Sequence, residues 1–85
     1  MSIIDFKMKH FATFYFDFEN LKYTMKLYEN DNYIKCSVKS RCWWFTKKVG
    51  KWRKESNVKL SNQQIFDNIC KGFKIIPENI REKTP

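Results

Sequence analysis

Apolar and polar residues alternate along three runs between residues 11 and 39, and this two-residue period favours β-strands over helices. The runs are Phe11–Phe18, Leu21–Glu29 and Tyr33–Lys39. Short polar segments separate them, and we place a two-residue turn at Glu19 and Asn20 and a second turn at Asn30 and Asp31. The pattern therefore predicts an antiparallel meander of three strands.

Both turns put the same residues of the middle strand on one apolar face. The first turn pairs Phe18 with Leu21, Phe16 with Tyr23, Phe14 with Met25, and Ala12 with Leu27. The second turn pairs Leu27 with Ile34, Met25 with Cys36, and Tyr23 with Val38. Because a slip of one residue would move every side chain of a strand to the other face, this agreement supports the meander.

The opposite face of the predicted sheet combines lysines with aromatic rings. Its rows are Phe11, Tyr28 and Tyr33; Thr13, Lys26 and Lys35; Tyr15, Thr24 and Ser37; and Asp17, Lys22 and Lys39. Lys26 opposite Lys35 is a like-charge pair, which costs stability unless solvent or an anion lies between them. Lysines are common on solvated faces and protect sheet edges, whereas exposed tyrosines beside them are typical of surfaces on which nucleic-acid bases stack.

Residues 33–54 carry the excess charge of the chain. They contain eight basic residues, no acid and all three tryptophans, and the formal net charge of the 85-residue chain is +8. We predict a fourth strand at Cys42–Lys47, with Trp43 in the core opposite Val38 and Trp44 on the outward face opposite Ser37. Lys47–Lys54 is then a basic loop or hairpin around Gly50. This composition suits a polymer that offers phosphates to the charges and bases to the rings.

A helix follows the strands. Ser61 is its predicted N-cap, with Gln64 completing a capping box, and apolar residues then recur at helical spacing. Gly72 marks its predicted end. The predicted fold is α+β, a four-stranded antiparallel β-meander followed by one C-terminal helix (ββββα). It forms a single domain over residues 1–85, with residues 1–10 as an edge strand or lead-in and residues 74–85 as a polar tail or short extra turn.

The sequence gives no support for an enzyme, a cofactor or a metal site. There is one histidine, and the two glycines exclude a Walker loop and a dinucleotide fingerprint. The three cysteines, Cys36, Cys42 and Cys70, lack the spacing of a zinc site or a disulfide framework. Neither a secretory signal nor an apolar run that could cross a membrane is found, so we expect an intracellular protein, in the cytoplasm or the nucleus.

Several segments resemble the positive-cofactor-four family, the transcriptional coactivator-type single-stranded-DNA-binding domains. The resembling segments lie between residues 14 and 73 and are Lys22–Tyr28, Tyr33–Lys39, Arg41–Phe45, Val58–Ser61 and the pair Ile65 and Phe66. The resemblance implies a homodimer joined through the helices, whose curved sheets bind single strands with little sequence preference. It also puts Arg41 and Trp44 on the nucleic-acid-contacting segment, near Lys26 and Lys35. The sequence departs from the family at residues 55–57, where the family usually has a glycine, and it lacks a serine-rich region.

We therefore predict a non-enzymatic single-stranded-DNA-binding protein acting in transcription or replication. Two alternatives stay open, an RNA-binding module and a protein-interaction or inhibitor module of a virus or mobile element. The predicted nucleic-acid-binding residues are Lys26, Tyr28, Tyr33, Lys35, Lys39, Arg41, Trp44, Lys47, Lys48, Lys51, Trp52, Arg53 and Lys54.

Overall fold

The computed structural model describes residues 8–40, 47–54 and 58–83, which form one antiparallel sheet and one helix. The strands are β1 (Lys9–Phe18), β2 (Leu21–Glu29), β3 (Tyr33–Ser40), β4 (Lys47–Arg53) and β5 (Glu78–Lys83), and helix α1 spans Asn62–Gly72. The order across the sheet is β4-β3-β2-β1-β5. The predicted α+β class is confirmed, whereas the predicted ββββα order holds only in part because a strand follows the helix.

The β1–β2 hairpin has the predicted two-residue turn. Glu19 and Asn20 both have positive φ, 50° and 65°, as a type I′ turn requires. The predicted pairs from Phe18 with Leu21 to Ala12 with Leu27 are all present.

Near its start, β1 departs from the predicted register. A bulge between His10 and Ala12 puts His10, and not Phe11, opposite Tyr28. Phe11 packs against the core instead of joining the outward face. The bulge thus exchanges a phenyl ring for an imidazole beside Tyr28.

The β2–β3 pairing is shifted by two residues from the prediction. Met25 faces Val38, and Leu27 faces Cys36. The cause is a turn that lies one residue further along the chain. The Asn30 N–H donates to the Tyr33 carbonyl at 3.0 Å, and the Asn30 side-chain oxygen accepts hydrogen bonds from the backbone N–H groups of Asn32 and Tyr33, at 2.9 and 2.7 Å. Because the shift is even, every side chain stays on its predicted face.

Strand β4 lies where a basic loop was predicted. Lys48 lies opposite Val38, where Trp43 was predicted. Val49 lies opposite Ser37, where Trp44 was predicted. The predicted strand at 42–47, with Trp43 and Trp44, lies outside the described residues except at Lys47. An edge strand needs only one neighbour and one buried face, and for this reason a strongly basic segment can occupy it.

The core lies between the sheet and α1. Phe66 of the helix stacks on Phe14 at a centroid distance of 4.4 Å and meets Phe16 edge-on at 5.4 Å. The core consists of Ala12, Phe14, Phe16, Met25, Leu27, Cys36, Val38, Phe66, Ile69, Cys70 and Ile75, all of them at most 5% exposed. The capping box of Ser61 and Gln64 is present as predicted.

The predicted end of helix α1 at Gly72 is confirmed, but the residue with left-handed backbone that closes the helix is Lys74, two positions later. Lys74 adopts a φ of 59°, while the N–H groups of Lys74 and Ile75 donate to the carbonyls of Lys71 and Cys70. These two bonds form a Schellman motif, with buried Ile75 as its hydrophobic contact. Gly72 is the last helical residue and lies inside the helix. The left-handed position, which usually carries a glycine, is occupied by Lys74.

The predicted tail at residues 74–85 is wrong for residues 78–83, which form β5. All six of its residues are exposed, and it pairs with β1 through backbone hydrogen bonds. Asn62 at the start of α1 donates a hydrogen bond to Glu82, at 3.0 Å. No helix in the described part of the chain is long and apolar enough to cross a membrane.

Candidate nucleic-acid interface

Helix α1 covers one side of the sheet, and the side chains that alternate away from it form the outer face. Cross-strand pairing arranges them in rows, running from the β1–β2 turn towards the β2–β3 loop. The rows are Glu78, Asp17 and Lys22; Arg81, Tyr15, Thr24, Lys39 and Lys47; Lys83, Thr13, Lys26, Ser37 and Val49; His10, Tyr28, Lys35 and Lys51; and Tyr33 and Arg53.

The outer face is strongly basic. Leaving aside the side chain of Lys47, which is outside the described part, these rows hold eight basic side chains and two acidic ones. The basic residues are Lys22, Lys26, Lys35, Lys39, Lys51, Arg53, Arg81 and Lys83. Both acids, Asp17 and Glu78, stand in the row nearest the β1–β2 turn. Positive charge therefore increases away from the β1–β2 turn, and the remaining rows contain basic residues and no acidic ones.

The tyrosine rings of the outer face lie next to these cations. The Lys35 ammonium is 5.9 Å from the centroid of the Tyr28 ring, and the Lys51 ammonium is 5.9 Å from that of Tyr33. Both distances lie at the outer limit of a cation–π contact. Tyr28 and Tyr33 are half-buried. Each ring is thus held beside a charge that could bind a phosphate.

His10 borders the same cluster. Its ring is 5.3 Å from the Tyr28 ring, tilted by 44°. Its Nε2 atom lies 2.8 Å from the Thr13 hydroxyl and 3.0 Å from the Ala12 carbonyl. These contacts fix the imidazole at the edge of the row and keep it against the tyrosine.

Three predicted site residues lie on the helix side instead, because β4 alternates. The Lys48 ammonium is 5.6 Å from the centroid of the Phe73 ring, and the Trp52 ring is 6.2 Å from it. Lys54 forms a 2.6 Å ion pair with Glu29. The Trp52 ring also covers Gly50, where any β-carbon would collide with it. These residues are therefore not brought together with Tyr28 and Tyr33.

Most of the other predicted site residues share the outer face. These are Lys26, Tyr28, Tyr33, Lys35, Lys39, Lys51 and Arg53, joined by Lys47 through its backbone position. Arg41 and Trp44 lie outside the described residues.

Sequence reasoning missed the contribution of β5. Arg81 lies opposite Tyr15, and Lys83 lies opposite Thr13. Their alternation with Ile80 and Glu82 was the available signal, but it is weak in a segment with few β-forming residues.

Two thiols are poorly suited to nucleophilic chemistry. Burial raises the pKa of Cys36 to about 11. Burial, reinforced by the nearby Asp67 carboxylate, raises the pKa of Cys70 to about 12. Both therefore stay protonated at neutral pH. Within residues 8–40, 47–54 and 58–83, no three His, Cys, Asp or Glu residues are grouped so that they could hold a metal ion.

Comparisons of the chain with protein-family models, curated proteins and solved structures found no match. The resemblance to the positive-cofactor-four family therefore stays a prediction. The homodimer that it implies also stays a prediction. The exposed residues of helix α1 are polar, namely Gln63, Gln64, Asp67, Asn68 and Lys71. They do not provide the apolar surface that usually holds two subunits together.

Proposed function

We propose that this protein binds single-stranded nucleic acid, most directly DNA, on its outer face and catalyses no reaction. One observation carries the proposal: eight basic side chains and the rings of Tyr15, Tyr28 and Tyr33 share the face that α1 leaves uncovered. Basic side chains neutralise phosphates, and aromatic rings stack on unpaired bases with little dependence on sequence.

The pairing of Lys35 with Lys51 adds support. These residues lie directly opposite each other on β3 and β4, and like charges in this arrangement destabilise a sheet. Their ammonium groups reach two different tyrosine rings, which offsets only part of that cost. A phosphate between the two lysines would remove the repulsion.

The tyrosines favour single strands over duplexes. In a duplex, the faces of the bases are covered by their neighbours in the stack, so a ring on a sheet surface cannot reach them. In an unpaired strand the bases can turn outward and lie on the ring. A strand crossing the rows would then put bases on tyrosines and phosphates beside lysines.

The direct test is a fluorescence-anisotropy titration with a strand of about twelve thymidine nucleotides, alongside a duplex of equal length. We expect tighter binding to the single strand. The logarithm of the binding constant should fall linearly with the logarithm of salt concentration, at a slope near −0.7 for each phosphate contacted. Equal binding to both forms, or none to either, would contradict the proposal.

Two neighbouring lysines of β4 provide a matched pair of variants. Lys51→Ala removes a charge from the outer face, and Lys48→Ala removes one from the helix side. We expect Lys51→Ala alone to reduce the steepness of the salt dependence, by about 0.7. Equal effects of the two variants would mean that net charge, rather than this face, determines binding.

Two further arms separate the alternatives. An RNA strand of equal length distinguishes DNA from RNA as the ligand. Nuclease treatment before a pull-down distinguishes nucleic acid from an acidic protein surface, since only a protein partner survives digestion.

A further inference from the structure

A shallow pocket of about 430 Å³ opens at the end of the outer face, next to the β1–β2 turn. Tyr15, Asp17, Lys22 and Arg81 line it, together with Phe16, Asn79 and Ile80. The cavity can hold a nucleobase, and its lining combines a stacking surface, two cations and one carboxylate.

The pocket exists because the pairing of β1 with β5 is irregular. The register shifts between Tyr15, which faces Arg81, and Asp17, which faces Glu78. Two residues, Asn79 and Ile80, lie between these partners on β5. Asn79 has a φ of 52° and donates a 3.0 Å hydrogen bond from its side chain to Asp17. Bulges of this kind commonly redirect a side chain at a functional site.

Asp17 is the group that needs explanation, because a carboxylate repels the phosphates that the rest of the face attracts. Its ion pair with Lys22 is long, at 3.8 Å, and the Lys22 side chain is 66% exposed, so that contact alone gives little reason to keep an acid here. One of its oxygens accepts from Asn79. A carboxylate has about four acceptor positions, so Asp17 retains the capacity to accept two further hydrogen bonds from a ligand.

We propose that this pocket recognises one unpaired guanine within an otherwise sequence-tolerant strand-binding face. The proposal rests on the proposed function, which supplies the strand. The Watson–Crick edge of guanine has two adjacent donors, the N1–H and the 2-amino group, which match the two oxygens of a carboxylate. The same edges of adenine, cytosine and thymine place an acceptor beside each donor, and a carboxylate repels that acceptor. Tyr15 would stack on the guanine, while Lys22 and Arg81 would bind its phosphates.

The test uses thymidine strands of one length with a single central substitution. We expect a strand with one guanine to bind the wild-type protein about tenfold more tightly than the all-thymidine strand. Inosine, which lacks the 2-amino group, should lose most of this gain. 7-Deazaguanine, which keeps the Watson–Crick edge, should retain it.

The variant Asp17→Asn should abolish the guanine preference and leave binding to the all-thymidine strand at least as tight. Asp31→Asn is the matched control, since it removes the same charge from the exposed β2–β3 loop at the other end of the sheet, and it should keep the preference.

The outcomes separate the two proposals. Binding of all strands with equal affinity, or a preference that inosine or Asp17→Asn leaves intact, overturns the guanine pocket but not the proposed function. Failure to bind any strand overturns both. If Asp17→Asn does not fold, the comparison of inosine with 7-deazaguanine on the wild-type protein still decides the question.

Discussion

Lys74 occupies a backbone conformation that suits glycine better. Its φ of 59° lies in the left-handed region, where a β-carbon crowds the following carbonyl. We expect Lys74→Gly to raise the free energy of unfolding by about 1 kcal/mol, measured by urea denaturation. Lys71→Gly is the matched control, because it makes the same change inside α1 and should lower stability by up to about 1 kcal/mol. Destabilisation by both would show that the Schellman motif depends on the Lys74 side chain.

The buried thiols predict a loss of stability at alkaline pH. The pKa of Cys70 is raised by burial to about 12, above its unfolded value near 9, so the folded state holds this proton more tightly. The contribution is complete below about pH 9 and is lost as the pH rises towards 12, by up to about 1.4 kcal/mol for each pH unit.

Unfolding experiments at pH 8 and pH 10 test this for Cys70. Cys70→Ala should be less stable at pH 8, because it leaves a small cavity, but should lose less stability between the two pH values than the wild type. The same slope in both proteins would mean that the thiol keeps its ordinary pKa. All other ionisable groups are common to both proteins, so the difference in slope reports on the Cys70 thiol.

Among the elements, the hairpins show what hydrophobic alternation can and cannot predict. The β1–β2 register was predicted because only Glu19 and Asn20 separate its two runs. Three polar residues separate β2 from β3, and the turn there forms one residue later than predicted, held by the Asn30 side chain. The β2–β3 register was therefore off by two, and a period of two cannot detect an even shift.

The β1–β2 turn can be improved. Glu19 and Asn20 both have positive φ, a conformation in which Asn-Gly is strongly preferred. We expect the double substitution Glu19→Asn and Asn20→Gly to stabilise the protein by about 1 kcal/mol, or about 4–8 °C in thermal unfolding. Placing Asn-Gly instead at Asp31 and Asn32, where φ is not positive, should give no such gain. A gain at both sites would mean that the positive φ of Glu19 and Asn20 is not its cause.

The edge strands escaped prediction for a different reason. A central strand pairs with a neighbour on each side and usually packs one face against the core. That face must be apolar, and it leaves a hydrophobic pattern in the sequence. Strand β5 has no residue in the core. It is held by backbone pairing with β1 and by the side-chain hydrogen bonds from Asn62 to Glu82 and from Asn79 to Asp17, none of which leaves a hydrophobic pattern in the sequence. Position in the sheet, rather than composition, makes Glu78–Lys83 a strand.

For the whole molecule, the site residues were predicted correctly on those strands where the sequence shows which face each side chain occupies. On the other strands they were not. Lys26, Tyr28 and Lys35 were found because alternation along β2 and β3 separates the two faces of the sheet. Lys48 and Trp52 were included on composition alone, and the alternation of β4 turns them to the helix side. The same reasoning could not include Arg81, since the pairing of β5 with β1 joins segments far apart in sequence.

The cations of β5 test how far the binding surface extends. We expect the double substitution Arg81→Gln and Lys83→Gln to reduce the steepness of the salt dependence of strand binding by about 1.4, or about 0.7 for each lost phosphate contact. The pair Lys71→Gln and Lys74→Gln removes the same charge from the helix region and should leave the steepness unchanged. An unchanged slope in the β5 variant would mean that the bound nucleic acid contacts only β1–β4.

The pairing of β5 with β1 also sets an order of events during translation. The β1–β3 hairpins can assemble as soon as they leave the ribosome, but β5 begins sixty residues after β1 ends, at Glu78 against Phe18. At usual elongation rates this leaves one side of β1 without its neighbour for roughly 3–12 s. Until then the nascent chain displays an open strand rich in phenylalanine, which other chains can join. The polar C-terminal strand thus closes a surface that would otherwise promote aggregation of newly made protein.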